Sequence, residues 1–293
     1  MTVSNASRSA AIIAAHRAME SSKDPKDRIC HDPLAHRLLP PGFTVIGEYD
    51  IPEETALKFF KDFVPGFHEF FIARTRYIDD YLHDCLKSDL RQLVFLGAGY
   101  DSRAYRIDEL KDGIKIFEVD HPDTQQVKQA RLREIFHALP DHVTYVPLDF
   151  RTGGLGAALY ENGYDRRLKT LFIWEGVTMY IDRQNVEETL GFIAANSAEE
   201  SAVIFDYTLP DVIDGISDRK EGKAWQAKAS QSDEPLRFGI GDRDVEQLLH
   251  SYGFRDVNCV HSDFFNATYF DGADDAGKAT PIFSIAHARV GKA

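Results

Sequence analysis

Apolar positions follow two regimes along this chain. Up to about residue 90 they recur at helical spacing. Phe67, Phe70, Phe71, Ile78, Tyr81 and Leu82 share one face of a helix expected over residues 66–86. Ser4 or Asn5 is expected to cap a first helix running to Glu20. Residues 21–28 read as a loop, and Pro33, Pro40, Pro41 and Gly42 break the next segment into short pieces. A short helix is expected over residues 52–63, with Pro52 and Glu53 in its first turn.

From Arg91 the pattern changes to short apolar runs separated by longer amphipathic stretches. Strands are predicted at residues 92–96, 114–119, 143–148, 170–174 and 202–207, with helices notably at 124–138 and 183–195. Alternation at these lengths implies right-handed βαβ units and a parallel sheet. After Gly241 a helix over 242–251 leads to strands near 257–261 and 283–290. With only a loop expected between them, these last two should pair as an antiparallel hairpin. The reading is therefore an α/β protein with a seven-stranded, mostly parallel sheet, preceded by a helical segment over residues 1–90 and spanning 91–293 as one structural unit.

Composition narrows the partners. The 293 residues, 43% of them hydrophobic, suit one large α/β domain with a helical addition. A net charge of -13 argues against nucleic acid or an anionic membrane surface. Cys30, Cys85 and Cys259 form no metal-ligand pattern and read as idle thiols, so no metal is expected. The apolar run from Ala10 to Ala15 is too short for a signal sequence, and no run reaches the length of a membrane span. A cytoplasmic protein is expected.

The chemistry concentrates after the strands. Residues 93–96 are an apolar strand, and Gly97-Ala98-Gly99 then lets the backbone turn tightly against a ligand. The next strand is followed by Asp120, 21 positions after Gly99. A glycine turn with an acid about 20 residues on is how an α/β sheet holds an adenosine ribose. Ser102 stands where a dinucleotide site wants a third glycine, and Asp101 would repel a pyrophosphate but tolerate a sulfonium. That favours S-adenosylmethionine over NAD. Ligands bind at the carboxyl ends of such strands, where Asp101, Asp120, Asp149 and Glu175 all fall. Asp149 and Phe150 could serve the adenine, and Glu175 the cofactor's ammonium group. Arg74 or Arg76 could bind its carboxylate. Arg103 and Arg106 are expected to pair with Asp101 or Asp108. Arg17 and His16 either face the pocket or lie on an exposed helix surface. Tyr180 could orient an acceptor, and Asp206 with Tyr207 could line its pocket.

Together Ala73-Arg74-Thr75-Arg76, Leu96 to Arg103, Phe117-Glu118-Val119-Asp120-His121-Pro122 and Trp174 to Tyr180 resemble the leucine carboxyl methyltransferase family, whose bacterial and archaeal branch includes tetracenomycin-type polyketide carboxyl O-methyltransferases. The resemblance implies a class I methyltransferase fold, Rossmann-like, with N-terminal helices as a lid. It implies Arg74 on the methionyl carboxylate, Gly97 in the cofactor loop, Asp120 on the ribose, Asp149 and Phe150 on the adenine, and Glu175 on the methionyl side. The N-terminal lysine that binds cofactor in the phosphatase-methylating members has no clear match between Ala10 and Glu20.

The expected activity is methyl transfer from S-adenosylmethionine to a carboxylate of a small molecule. That acceptor is ionised at neutral pH and needs no base. A phenol or hydroxyl acceptor is the alternative; it would want a base such as His16, His31 or His68. A non-catalytic S-adenosylmethionine-binding protein is a third reading.

Overall fold

The computed structural model describes residues 7–40, 64–274 and 277–291. Its frame is a seven-stranded sheet of β1 (Gln92–Leu96), β2 (Lys115–Asp120), β3 (Val143–Pro147), β4 (Thr170–Trp174), β5 (Ala202–Thr208), β6 (Phe254–Val260) and β7 (Phe283–Val290). The spatial order is β3-β2-β1-β4-β5-β7-β6. The first five strands are parallel, with Leu93 level with both Ile116 and Leu171. β7 runs antiparallel to both β5 and β6. The expected sheet and its C-terminal hairpin are both present.

All five residues of β1 are buried. A strand turns alternate side chains to opposite faces, so Leu93 and Phe95 join one apolar cluster while Val94 and Leu96 join the other. The strand therefore needs apolar residues on both faces, which is why it reads as an unbroken run.

The described helices of seven or more residues are α1 (Arg8–Ser22), α2 (Phe67–Lys87), α3 (Pro122–Phe136), α4 (Leu155–Glu161), α5 (Arg183–Ala195), α6 (Lys220–Ala229), α7 (Asp242–Ser251) and α8 (Ser262–Tyr269). Both α1 and α2 contribute to the cluster beside Leu93 and Phe95. The helical face expected of α2 is the one buried, through Phe67, Phe70, Phe71, Ile78 and Leu82.

Three expectations need correction. The cap of α1 is Ser7, not Ser4 or Asn5: its Oγ accepts from Ala10 N–H, and the helix continues to Ser22. β6 begins at Phe254 rather than Val257, across an irregular register between Arg255 and Asn258. The connection from β6 to β7 holds α8 rather than only a loop. Its Phe265 is fully buried and meets Phe70 and Tyr77 edge-on, so packing stabilises a helix that its own pattern barely signals. Helix α6 is a further addition to the expected elements. The helix expected over residues 52–63 lies outside the described residues, as do Ser4 and Asn5.

Candidate active site

The turn after β1 is built on Gly97 and Gly99, at φ 71° and 44°. Gly97 must also stay small, because a β-carbon there would collide with Val177 Cγ2. Beside it Asp120 ends β2. Its Oδ2 accepts from Gly99 N–H at 2.5 Å and its Oδ1 from His121 N–H at 2.6 Å. Burial pushes this carboxyl up to about 6, against the pull of those two donors. The acid and the glycine turn thus form one unit, as their spacing suggested.

After β4 comes Glu175. Burial would raise its pKa, but Arg74, Arg103 and Arg17 hold it down at about 2. Arg103 is the centre of this arrangement. Its Nη1 donates to Asp101 Oδ2 at 2.5 Å and Glu175 Oε2 at 2.7 Å, and its Nε to Asp79 Oδ1 at 2.6 Å. Arg106 also donates to Asp79, at 2.7 Å, and not to Asp108. Arg74 lies 2.9 Å from Glu175 and pairs tightly with Asp206. Asp206 in turn accepts from Gly176 N–H at 2.6 Å, which fixes the turn after Glu175. Asp79, Asp101, Glu175 and Asp206 thus face three guanidinium groups, Arg74, Arg103 and Arg106, leaving one negative charge in excess.

These elements border a cavity of about 940 Å³. That is at the upper end of the roughly 300–1,000 Å³ usual for ligand sites, and roomy enough for two ligands side by side. Gly97, Ala98, Gly99, Asp120, Asp149, Phe150, Glu175 and Tyr180 all line it, as do Asp101 and Arg17. Arg74 does not: it is buried behind Glu175, held by two carboxylates. Asp206 is likewise buried behind the wall and does not line an acceptor pocket. Asp149 is engaged by Arg151, whose Nη2 donates at 2.7 Å and which keeps that carboxyl below the usual range. Arg17 reaches the wall but is anchored, donating to Asp32 at 2.9 Å and to the Tyr100 carbonyl at 2.7 Å.

None of the three candidate histidine bases lines this cavity. His16 and His68 are buried against each other, Nδ1 to Nδ1 at 3.1 Å, and His31 is exposed. Three participants were not signalled by the sequence: Asp79, Asp206 as an anchor for Arg74, and Glu234. Glu234 lies in the segment between α6 and α7, lines the cavity and accepts from Ser7 at the start of α1.

The acids suit an adenosyl cofactor bearing positive charge. The network's excess negative charge reaches the cavity through Asp101 and Glu175, and Asp120 offers lone pairs to hydroxyl groups. A pyrophosphate would meet those same carboxylates. Sheet order, glycine turn and acidic edge together define a class I methyltransferase. The leucine carboxyl methyltransferase family matches over residues 10–194, and the chain belongs to that family. Named relatives agree. "Putative S-adenosyl-L-methionine-dependent methyltransferase YktD" of Bacillus subtilis is 31% identical over 74% of this chain and 71% of its own. A Mycobacterium avium protein carrying the same description is 31% identical over 88% of this chain and 85% of its own. Two solved structures share the fold at low identity. One is a protein from Thermobifida fusca described as a "putative methyltransferase", with TM-score 0.59 and 11% identity over 84% of this chain and 91% of that one. The other is a duf574 family protein from Streptomyces avermitilis, with TM-score 0.59 and 12% identity over 92% and 99%. Among the described residues no helix is long and apolar enough to cross a membrane.

Proposed function

We propose that this protein is an S-adenosylmethionine-dependent O-methyltransferase that esterifies the carboxylate of a small molecule. Membership of the family supports the methyltransferase class, and the acidic edge that joins Asp120 to the glycine turn is the observation that carries the cofactor assignment. When bound, S-adenosylmethionine supplies a methyl group activated by its sulfonium. The chain's own residues bind and orient. Asp120 receives the ribose hydroxyls, Asp149 and Phe150 flank the adenine, and Glu175 receives the ammonium group. Arg74 works from behind the wall, fixing Glu175; reaching the cofactor's carboxylate itself would require it to release Glu175 or Asp206.

Several features favour a carboxylate acceptor. A carboxylate arrives ionised, so the site must only align it with the methyl group and exclude water. The one histidine among the described lining residues is His121, and its Nδ1 accepts from Asp123 N–H as a helix cap. Arg8 lines the cavity and supplies positive charge for an anionic acceptor; Arg237 lines it too, while donating to Asp182 at 3.3 Å. The resemblance to tetracenomycin-type enzymes makes a polyketide-derived acid the finer form of this reading. The acidic chain as a whole fits a small-molecule partner rather than nucleic acid or membrane.

The test supplies methyl-labelled S-adenosylmethionine and a panel of aromatic and polyketide-like acids. A carboxyl ester releases labelled methanol in mild base, whereas a phenol ether does not. Base-stable product would replace the carboxylate reading with the hydroxyl one.

A further inference from the structure

Helix α1 lies directly over the carboxyl end of the sheet. A β-carbon on Gly99 would come within 3.0 Å of Ala10 Cβ, and one on Gly176 within 3.0 Å of Ile13 Cδ1. The helix therefore rests on both turns that border the cavity, and Ser9, Ala10, Ala11, Ile13 and Arg17 form part of its wall. Its far end is anchored by Arg17 through Asp32 and the Tyr100 carbonyl. Its near end is held by one carboxylate from a distant segment. Glu234 accepts from Ser7 Oγ at 2.7 Å, from Ser9 N–H at 2.9 Å and from Ser9 Oγ at 2.6 Å. Ser7 is also the helix cap, and its own N–H donates to Thr124 Oγ1 at 2.9 Å. Three hydrogen bonds to one carboxylate, two of them from side chains and one from a backbone amide of the first turn, are stronger than neutral ones. They also place negative charge at the helix N-terminus, where it is favoured.

We infer that Glu234 is a positioning residue for cofactor and acceptor: it fastens the first turn of α1 across the cavity, and ligand exchange waits on release of that fastening. The inference rests on the cavity being the S-adenosylmethionine site. A residue that merely touched ligand would slow departure and leave arrival unchanged. A fastening limits both directions, so breaking it speeds both and moves the equilibrium affinity less than either rate. That signature separates the two roles, and a purely architectural role would move neither rate upward.

The experiment is stopped-flow binding of S-adenosylhomocysteine, followed by intrinsic tryptophan fluorescence, in the full-length protein and in Glu234→Gln and Glu234→Ala. The expected result is an association rate and a dissociation rate each raised at least fivefold in Glu234→Ala, with smaller rises in Glu234→Gln. Should Glu234→Ala fail to fold, Ser7→Ala/Ser9→Ala removes the same hydroxyl donors and should raise both rates. An unchanged association rate in folded variants overturns the inference, whatever happens to dissociation. Failure of the unaltered protein to bind S-adenosylhomocysteine overturns the cofactor assignment, and this inference with it.

Discussion

Replacing Asp120 offers the sharpest test of the site. In the structure its carboxylate already accepts from two backbone amides, and burial lifts its pKa to about 6. A ribose hydroxyl donating to this charged acceptor contributes about 1.5–3 kcal/mol. Asp120→Ala should therefore weaken S-adenosylhomocysteine binding by roughly tenfold to a hundredfold. The raised pKa adds a second arm. Binding by hydroxyl donors favours the ionised carboxylate, so affinity should fall as pH drops through 6. At pH 5 only about one molecule in eleven carries the charge, so affinity should be roughly tenfold below its value at pH 7. The stability of the unliganded protein should move the other way. A carboxyl whose folded pKa exceeds its unfolded value contributes stability below about pH 4 that is lost as pH rises through about 6. Calorimetric titration at pH 5, 6 and 7 reads the affinity, and Asp120→Asn should flatten the profile. A flat profile in the unaltered protein, or full affinity in a folded Asp120→Ala, would refute both the ribose placement and the electrostatics behind it.

Three further outcomes are expected. Gly97→Ala should lose about 1–2 kcal/mol from the left-handed backbone and about 1–3 more from the collision with Val177, read as a lower urea midpoint; Val177→Ala in the same chain should restore only the second part. Arg74→Ala leaves Asp206 and Glu175 short of a partner in a buried place and should cost about 3–5 kcal/mol in denaturant titration, whereas Arg76→Ala, half exposed with its ion pair to Asp80 and a long hydrogen bond to the Ile29 carbonyl, should cost less than about 1 kcal/mol. Equal losses would mean that the buried network does not hold the wall. NAD should bind at least about a hundredfold more weakly than S-adenosylhomocysteine in calorimetry, a gap of about 2.7 kcal/mol, and equal affinities would contradict the charge argument from Asp101.

How much of this was legible depends on how local each cause is. The parallel strands could be read because burial on both faces demands unbroken apolar runs, as in Leu93 to Leu96. The pairing of the glycine turn with Asp120 could be read because β1 and β2 are adjacent, and the turn that follows β1 and the acid that ends β2 lie at a fixed chain separation. The cap of α1 was misplaced because Ser4, Asn5 and Ser7 all suit the position locally. What distinguishes Ser7 in the structure is Glu234, 227 residues away. Asp206 looked like a pocket residue because it lies near the end of a strand at the sheet's functional edge. Its neighbour Arg74, 132 residues earlier, turns it into an internal anchor instead. Helix α8 escaped notice because Phe265 packs on α2, and no period in eight residues announces a distant aromatic face.

The position of β7 has a consequence for how the molecule is made. It lies between β5 and β6, although it is the last of the seven strands to be synthesised. While the ribosome is still adding residues before Phe283, β5 has one bare flank and β6 has no neighbour within the sheet. Emerging chains fold from the N-terminus, so a partly made molecule presents an unpaired parallel core that invites strand addition from other chains. Release of the segment through Val290 fills both positions at once. The sheet therefore reaches its final cooperativity in one late step, and a chain stopped before Phe283 would be a substrate for chaperones rather than a smaller enzyme.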